Sequence, residues 1–319
     1  MLMVNEKTST KSKILEILRN SSNPVTGDII AGETGVSRVA VWKAVQSLQN
    51  SGYDIQSNRN GYVLSKDLED SLYPWEFGKG ESSFSHFTET DSTMIQGRIA
   101  AENCEKGELK VITADIQTMG QGHADHKWTT TKGSIACTMV SKENVPLYES
   151  HRFVMACQIA AAKTLERHSG RKIFLRWPND IWTDKGKAGG ILDDLSATGS
   201  FTNWINLGLG INLSSKPKLK ETDCIFAPDT KIPRKEILKE IVDELKNGFN
   251  LAKESNSDLE MLWSLYCPDI GKKFRLKDSE KSIVFKGINS YGFAITECRG
   301  EERFYPPCSI NLLKTEYLK

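Results

Sequence analysis

Between Lys11 and Leu64 the apolar residues change their spacing once, from helical to alternating, and this restricts the start of the chain to a few small folds. Ile14, Leu15 and Leu18 share one face of a first helix, which runs out in the polar segment Asn20-Ser-Ser-Asn-Pro24. A second helix is predicted over Gly27–Glu33. Gly35 supplies the tight turn, and Ser37 caps a third helix whose inward stripe is Val41, Val45 and Leu48. Arg38, Trp42, Lys43 and Gln46 fall nearer its other side. After Ser51-Gly52, the segments Tyr53-Asp-Ile55 and Gly61-Tyr-Val-Leu64 flank Arg59-Asn60-Gly61, an Asn-Gly signal for a hairpin. Three short helices and a hairpin are the order of a winged helix-turn-helix, which is placed at residues 1–66 with the hairpin as its wing.

Charge is compatible with a small DNA-reading module and with nothing larger of that kind. The net charge of the 319 residues is +1, which excludes a strongly basic coat, but residues 1–66 carry eight Lys or Arg against five Asp or Glu. Seven cysteines are scattered without a Cys-x-x-Cys pair, as expected of free thiols in a reducing compartment. Residues 1–13 lack the apolar core of a signal peptide, and no apolar run approaches a membrane span, so a cytoplasmic location without membrane contact is expected.

Residues 67–82 are charged and irregular, contain Pro74 and two glycines, and read as a linker. Beyond them a mixed domain is placed at 83–270, with strands over 110–114, 134–141, 173–177, 189–195 and 204–211 and helices over 92–102, 148–168, 234–254 and 257–266. From 271 to 319 short β segments, with turns at Lys277-Asp278 and Ser290-Tyr-Gly292, suggest a small β-barrel. The fold class is α+β.

Three segments of the mixed domain carry the residues that chemistry needs. The first is Asp91-Ser-Thr93. The second runs from Gly120-Gln-Gly122 through His123 and Lys127 to Trp128. The third is Arg176-Trp-Pro-Asn-Asp180, followed by Gly186-Lys-Ala-Gly-Gly-Ile-Leu192 and Gly208-Leu-Gly-Ile-Asn212. A Gly-x-Gly loop lets backbone amides approach an anion, and it equally serves a tight connection between strands. Pro178 ends a strand and presents Asn179 and Asp180, either as ligand-binding groups or as caps of an Asx-type turn. Lys187, between glycines, is either a phosphate ligand or a solvated side chain.

Taken in order, Asp91-Ser-Thr93, Gln117, Gly120-x-Gly122, Lys127-Trp128, Trp177-Pro-Asn-Asp180, Lys187-x-x-Gly190-Ile-Leu192 and Gly208-x-Gly210-Ile-Asn212, behind a winged helix, resemble the bifunctional biotin protein ligase and biotin operon repressor family. The resemblance covers nearly the whole chain. It implies a central biotin-ligase domain of the class II synthetase type, a C-terminal SH3-like β-barrel, and the use of biotin, ATP and Mg2+. The implied reaction joins the biotin carboxylate to the α-phosphate of ATP, and biotinyl-5'-adenylate then acylates a lysine of a biotin carboxyl carrier protein domain of a biotin-dependent carboxylase.

By the same resemblance Lys187, Asp180 and Asn179 are catalytic, and Asp180 is a Mg2+ ligand. Biotin is held by Ser92, Thr93, Gln117, Gly120, Gln121, Gly122, His123, Lys187, Gly190 and Gly208, and ATP by Lys127, Trp128, Asn179, Lys187 and Asn212. Operator DNA meets Ser37, Arg38, Lys43, Gln46 and Arg59, and ligand promotes a homodimer.

The family loop reads Gly-Arg-Gly-Arg-x-Gly-Arg; here Gly120-Gln-Gly-His-Ala-Asp-His126 has none of the arginines, and Met94 stands where asparagine is common. An imidazole at His123 lacks the permanent, forked charge of a guanidinium, and Asp125 adds negative charge, so a less tightly held intermediate is expected. The other readings are a biotin-sensing DNA-binding regulator with a weakened or inactive ligase site, and a lipoate-attaching enzyme. The latter lacks support, because Arg-Arg and Gly-Gly-Gly elements are absent.

Overall fold

The computed structural model describes residues 8–68, 70–123, 126–228, 230–254, 258–276, 282–307, 309–310 and 312–314. The expected turn at Lys277-Asp278, and Asp125 and Cys308, lie outside the described residues. Two compact units divide at His86 and Phe87.

In the first unit, α1 (Thr10–Arg19), α2 (Gly27–Thr34) and α3 (Arg38–Asn50) precede a hairpin of β1 (Asp54–Asn58) and β2 (Gly61–Lys66). Each helix starts on a short hydroxyl side chain. Ser9 accepts from the Ser12 amide, Thr26 from that of Ile29 and Ser37 from that of Ala40, each capping an otherwise unpaired donor. Ile14, Leu15, Leu18, Ile30, Val41, Val45, Leu48, Tyr53 and Ile55 form the core. The wing is tied down where Val25 and Tyr62 exchange backbone hydrogen bonds of 2.9 and 2.8 Å. Gly61 is required at that point: its φ is +127°, and a Cβ there would stand 2.3 Å from the Val25 carbonyl oxygen.

The expected linker is instead part of this unit. The Arg19 guanidinium donates to Asp67 at 2.7 and 2.8 Å and to Glu76 at 2.7 Å, and Tyr53 Oη donates to Glu76, whose side chain is fully buried. Burial raises the Tyr53 phenol above its ordinary pKa, and the Glu76 carboxylate adds to the shift. Trp75 donates its indole N–H to Tyr53 Oη at 3.0 Å, stacks on Tyr73 with centroids 4.6 Å apart, and carries Lys11 over its ring at 4.0 Å. A 3-10 segment, Pro74–Ser83, kinks at Gly78. Proline, glycine and charge disguise a strap whose aromatic residues are claimed by the helices.

In the second unit, seven strands form one sheet in the order β3-β4-β5-β9-β8-β7-β6. They are β3 (Phe84–Thr90), β4 (Leu109–Gln117), β5 (Ile135–Ser141), β6 (Phe174–Arg176), β7 (Asp180–Trp182), β8 (Lys187–Thr198) and β9 (Phe201–Ile211). Every residue of β5 is buried, so both faces are covered. Helix α4 (Thr93–Glu102) packs against β4, β5 and β9. Helix α5 (His151–Ser169), buried almost all round, lies between the sheet and α6 (Arg234–Lys253), with α7 (Asp258–Ser264) alongside.

The C-terminal segment forms a five-stranded antiparallel sheet, β13-β12-β11-β10-β14. Its members are β10 (Lys273–Leu276), β11 (Ser282–Ile288), β12 (Ala294–Cys298), β13 (Glu301–Tyr305) and β14 (Leu312–Lys314). Buried Arg152 of α5 joins it to the α-helices, donating to the carbonyls of Leu251, Ala252 and Glu254 at the end of α6 and to that of Ser290. No helix among the described residues is long and apolar enough to cross a membrane.

If residues 67–86 are a structural strap, Glu76→Ala should destabilise the winged-helix unit by about 2 kcal/mol, since Arg19 and Tyr53 both lose a buried acceptor. Amide exchange in α1 to α3 should accelerate accordingly. Unchanged protection would show that the segment is a linker after all.

Candidate functional site

A narrow cavity of about 60 Å³ opens on the sheet beneath the start of α4, and a wider one of about 910 Å³ adjoins it. Both are lined by Met94, Gln117, Gln121, Gly122, His123, Trp128 and Leu192.

The floor of the narrow cavity is glycine because neighbours occupy the space a side chain would need. Gly190 pairs with Gly210, and Leu192 with Gly208, across β8 and β9. A Cβ on Gly208 would stand 2.5 Å from Met94 Sδ, and one on Gly210 2.5 Å from the Trp128 indole. Trp128 therefore lies directly over the strand. Its indole N–H is buried without a hydrogen-bond partner, an arrangement that a ligand acceptor would relieve. Beside the floor Cys137 is fully buried, and desolvation pushes its thiol up to about 12, so it remains protonated.

One end of the cavity is a wired set of hydroxyls and an amide. Ser92 caps α4, its Oγ accepting from the Met94 amide at 3.2 Å. The Gln117 Oε1 accepts from the Thr93 amide at 2.8 Å and the Thr93 hydroxyl at 3.1 Å, while its Nε2 donates to Thr130 at 3.1 Å. Thr138 donates to Thr93 at 2.9 Å. These side chains are fixed before any ligand arrives.

The other end holds the charge. Lys187 Nζ lies 2.5 Å from Asp180 Oδ1, and the Trp182 indole approaches Asp180 Oδ2 at 3.4 Å. The backbone of Lys187 is clamped on both sides: its amide donates to Glu221 O at 2.8 Å, and the Asp223 amide donates to its carbonyl at 2.9 Å. The flanking glycines now have a reason, since a Cβ on Gly186 would meet Glu221 O at 2.6 Å and one on Gly189 would meet Gly210 O at 2.7 Å. Burial alone would raise the Asp223 carboxyl, but hydrogen bonds from Thr183 and Arg171 reverse this and hold it below the ordinary range. Asn179 donates its side chain to Ile191 O at 2.6 Å, binding the Pro178 turn to β8. Behind that turn the Trp177 indole donates to Gly292 O at 2.9 Å, and the Trp177–Pro178 bond is cis.

Between residues 120 and 128 the chain makes a small hairpin over the site. Trp128 N donates to Gly120 O at 2.9 Å and Gly122 N to His126 O at 2.8 Å. A Cβ on Gly120 would stand 2.4 Å from Trp128 O, so its glycine closes the hairpin.

Most expected residues converge. Ser92, Thr93, Gln117, Gln121, Gly122, His123, Trp128, Asn179, Asp180, Lys187, Gly190 and Gly208 line the narrow cavity, while Gly120 and Lys127 line the wider one. Asn212 does not join them. It is 2 % exposed, lines neither cavity, and donates to Asp223 O at 3.3 Å. Asp180 turns one oxygen to Lys187 and the other to the Trp182 indole. Sequence reasoning missed Gly210 as the seat of Trp128, and Arg98, which reaches Asp194 at 2.5 Å beside the wider cavity. In the other unit, Ser37 caps α3, Arg38, Lys43 and Gln46 are exposed along it, and Arg59 is exposed in the wing turn.

The fold and site define a winged-helix protein joined to an α+β domain with a glycine-floored pocket. Residues 10–63 match the model of an HTH domain and residues 84–212 that of the biotin/lipoate A/B protein ligase family. The chain is 24% identical over 317 residues to the bifunctional ligase/repressor BirA of Bacillus subtilis strain 168, covering 91% of this chain and 95% of that protein. With the Escherichia coli K12 bifunctional ligase/repressor BirA it shares 24% identity over 212 residues, 64% of each chain. The solved Aquifex aeolicus biotin protein ligase in complex with biotin and ATP superposes with a TM-score of 0.59 at 19% identity, covering 73% of this chain and 99% of that one, and so shares its fold.

Two outcomes follow from the geometry. Gly210→Ala should press Trp128 off the strand and weaken biotin or ATP binding at least tenfold in calorimetry, with overpacking costing about 1–3 kcal/mol; unaltered binding would show that the indole is not part of the site. His151, at the start of α5, is held neutral by burial, which lowers its pKa below the ordinary 6.5 although Asp193 and the Pro178 backbone partly oppose this. The unfolded chain therefore gains a proton that the folded one refuses, and stability should be complete above about pH 6.5 and decline below it. His151→Gln should flatten that decline in denaturant midpoints; an unchanged slope would contradict it.

Proposed function

We propose that the chain is an ATP-dependent biotin protein ligase that forms biotinyl-5'-adenylate, transfers biotin to a lysine of a biotin carboxyl carrier protein, and through its winged helix represses transcription in response to biotin. The observation that carries the reading is the clamped Lys187 beside the Trp177-Pro178-Asn179-Asp180 turn, at one end of a pocket whose other end is polar and preformed.

Joining a carboxylate to a phosphate requires two anions to meet. At about 4 Å their repulsion is worth roughly 4 kcal/mol at an effective dielectric of 20, so a fixed cation is needed there. Lys187 supplies it by leaving Asp180 for the two anions. Ser92, Thr93 and Gln117 receive the ureido end of biotin, Gly190 and Gly208 line the floor beside it, and Trp128 with Lys127 borders the nucleotide. Gln121, Gly122 and His123 cover the ligand from the hairpin.

Because no arginine stands between Gly120 and His126, retention of the adenylate falls to Lys187 and the loop amides. The narrow cavity must widen for a ligand of this size. Mg2+ enters with the nucleotide as part of that substrate. The ligand-bound form pairs with a second copy, so that two winged helices meet two operator half-sites, in the cytoplasm. There the exposed Ser37, Arg38, Lys43, Gln46 and Arg59 face the DNA.

Incubation with ATP, Mg2+, biotin and a biotin carrier domain, followed by streptavidin detection, should show transfer that falls at least a hundredfold in Lys187→Ala. Transfer that survives the substitution contradicts the proposed mechanism. No transfer by the unaltered protein, together with biotin-dependent DNA binding, establishes a regulator without ligase activity.

A further inference from the structure

Helix α3 buries Val41, Val45 and Leu48, yet its outer side is not polar throughout: Val39 is 61% and Trp42 53% exposed. An amphipathic helix ordinarily turns charged and polar groups to water, so two large apolar side chains one turn apart on that side need a partner. Arg38, Lys43 and Gln46 surround them on the same helix. Arg38 reaches Asp28 at 3.3 Å, but both side chains are 71% exposed, so the pair is released at little cost. The result is an apolar centre with a cationic, hydrogen-bonding rim.

The DNA major groove has the complementary layout, with phosphates along its edges and thymine 5-methyl groups on its floor. We infer that Val39 and Trp42 read thymine methyl groups, so that specificity at those positions comes from apolar contact rather than hydrogen bonding; this rests on the DNA-binding reading above. The first part of the second helix of a helix-turn-helix enters the groove, and both residues lie there. Three residues rise about 4.5 Å, against about 3.4 Å per base pair, so the two side chains address neighbouring base pairs. A second copy of the chain is a poorer occupant, because a two-fold contact would set the Arg38 and Lys43 rims against each other.

The full chain, with biotin and ATP, is first used to select duplexes from a library with a randomised core. The selected duplexes are then remade with uracil at each thymine in turn, which removes only the methyl group. The expected result is a half-site with adjacent thymines, each replacement weakening binding roughly fourfold. Val39→Ala and Trp42→Ala should bind the thymine and uracil duplexes equally while keeping full biotin transfer. Equal binding of both duplexes by the unaltered protein overturns the inference, as does discrimination that survives both substitutions. It is equally overturned if the substitutions change self-association and leave discrimination intact. Failure to select any sequence removes the DNA-binding reading itself, and this inference with it.

Discussion

The pairing of Lys187 with Asp180 over a floor of glycine is the interaction on which the rest of the site depends. An ammonium group on a four-carbon stem is useful to two anions only if its backbone is immobile, and here the 221–223 segment grips both the amide and the carbonyl of Lys187. That grip demands glycine at 186, and the neighbouring strand demands it at 189. Further along, Gly208 and Gly210 leave room for Met94 and Trp128 to lie on the sheet. The glycines are thus less a flexible loop than a rigid surface with its side chains removed.

Support for this surface comes from far along the chain. The Pro178 turn is held from one side by Asn179 on Ile191 and from the other by Trp177 on Gly292, so the C-terminal sheet braces the charged end of the pocket. His151 fills the same corner. A Cβ on Gly292 would stand 2.5 Å from its ring, which leaves no room for water, and burial accordingly keeps the imidazole neutral. Arg152, next to it, ties α6 to the same sheet through backbone carbonyls.

What could be read from the sequence was what local chemistry decides. Ser37 as a cap, Gly35 as a left-handed stop and Asn60-Gly61 as the wing turn are each fixed by their neighbours, and the structure has all of them. The strap around Glu76 could not be read, because its burial depends on Arg19 and Tyr53, which lie 57 and 23 residues away. Strand β7 is three residues long and carries no pattern of its own, while β3 alternates too weakly to stand out. Motif order gathered Ser92, Gln117, Asn179 and Lys187 into one cavity, while Asn212, just beyond the end of β9, donates to Asp223 O outside it. Spacing says which residues share a segment; only the register of β8 on β7 and β9 says which atoms meet.

The most direct test is the structure of the chain with biotin and a non-hydrolysable ATP analogue bound together. Lys187 Nζ should have left Asp180 to lie within hydrogen-bonding distance of both the biotin carboxylate and the α-phosphate, with its backbone unmoved. An ammonium still on Asp180, or turned to solvent while both ligands are seated, would contradict the account.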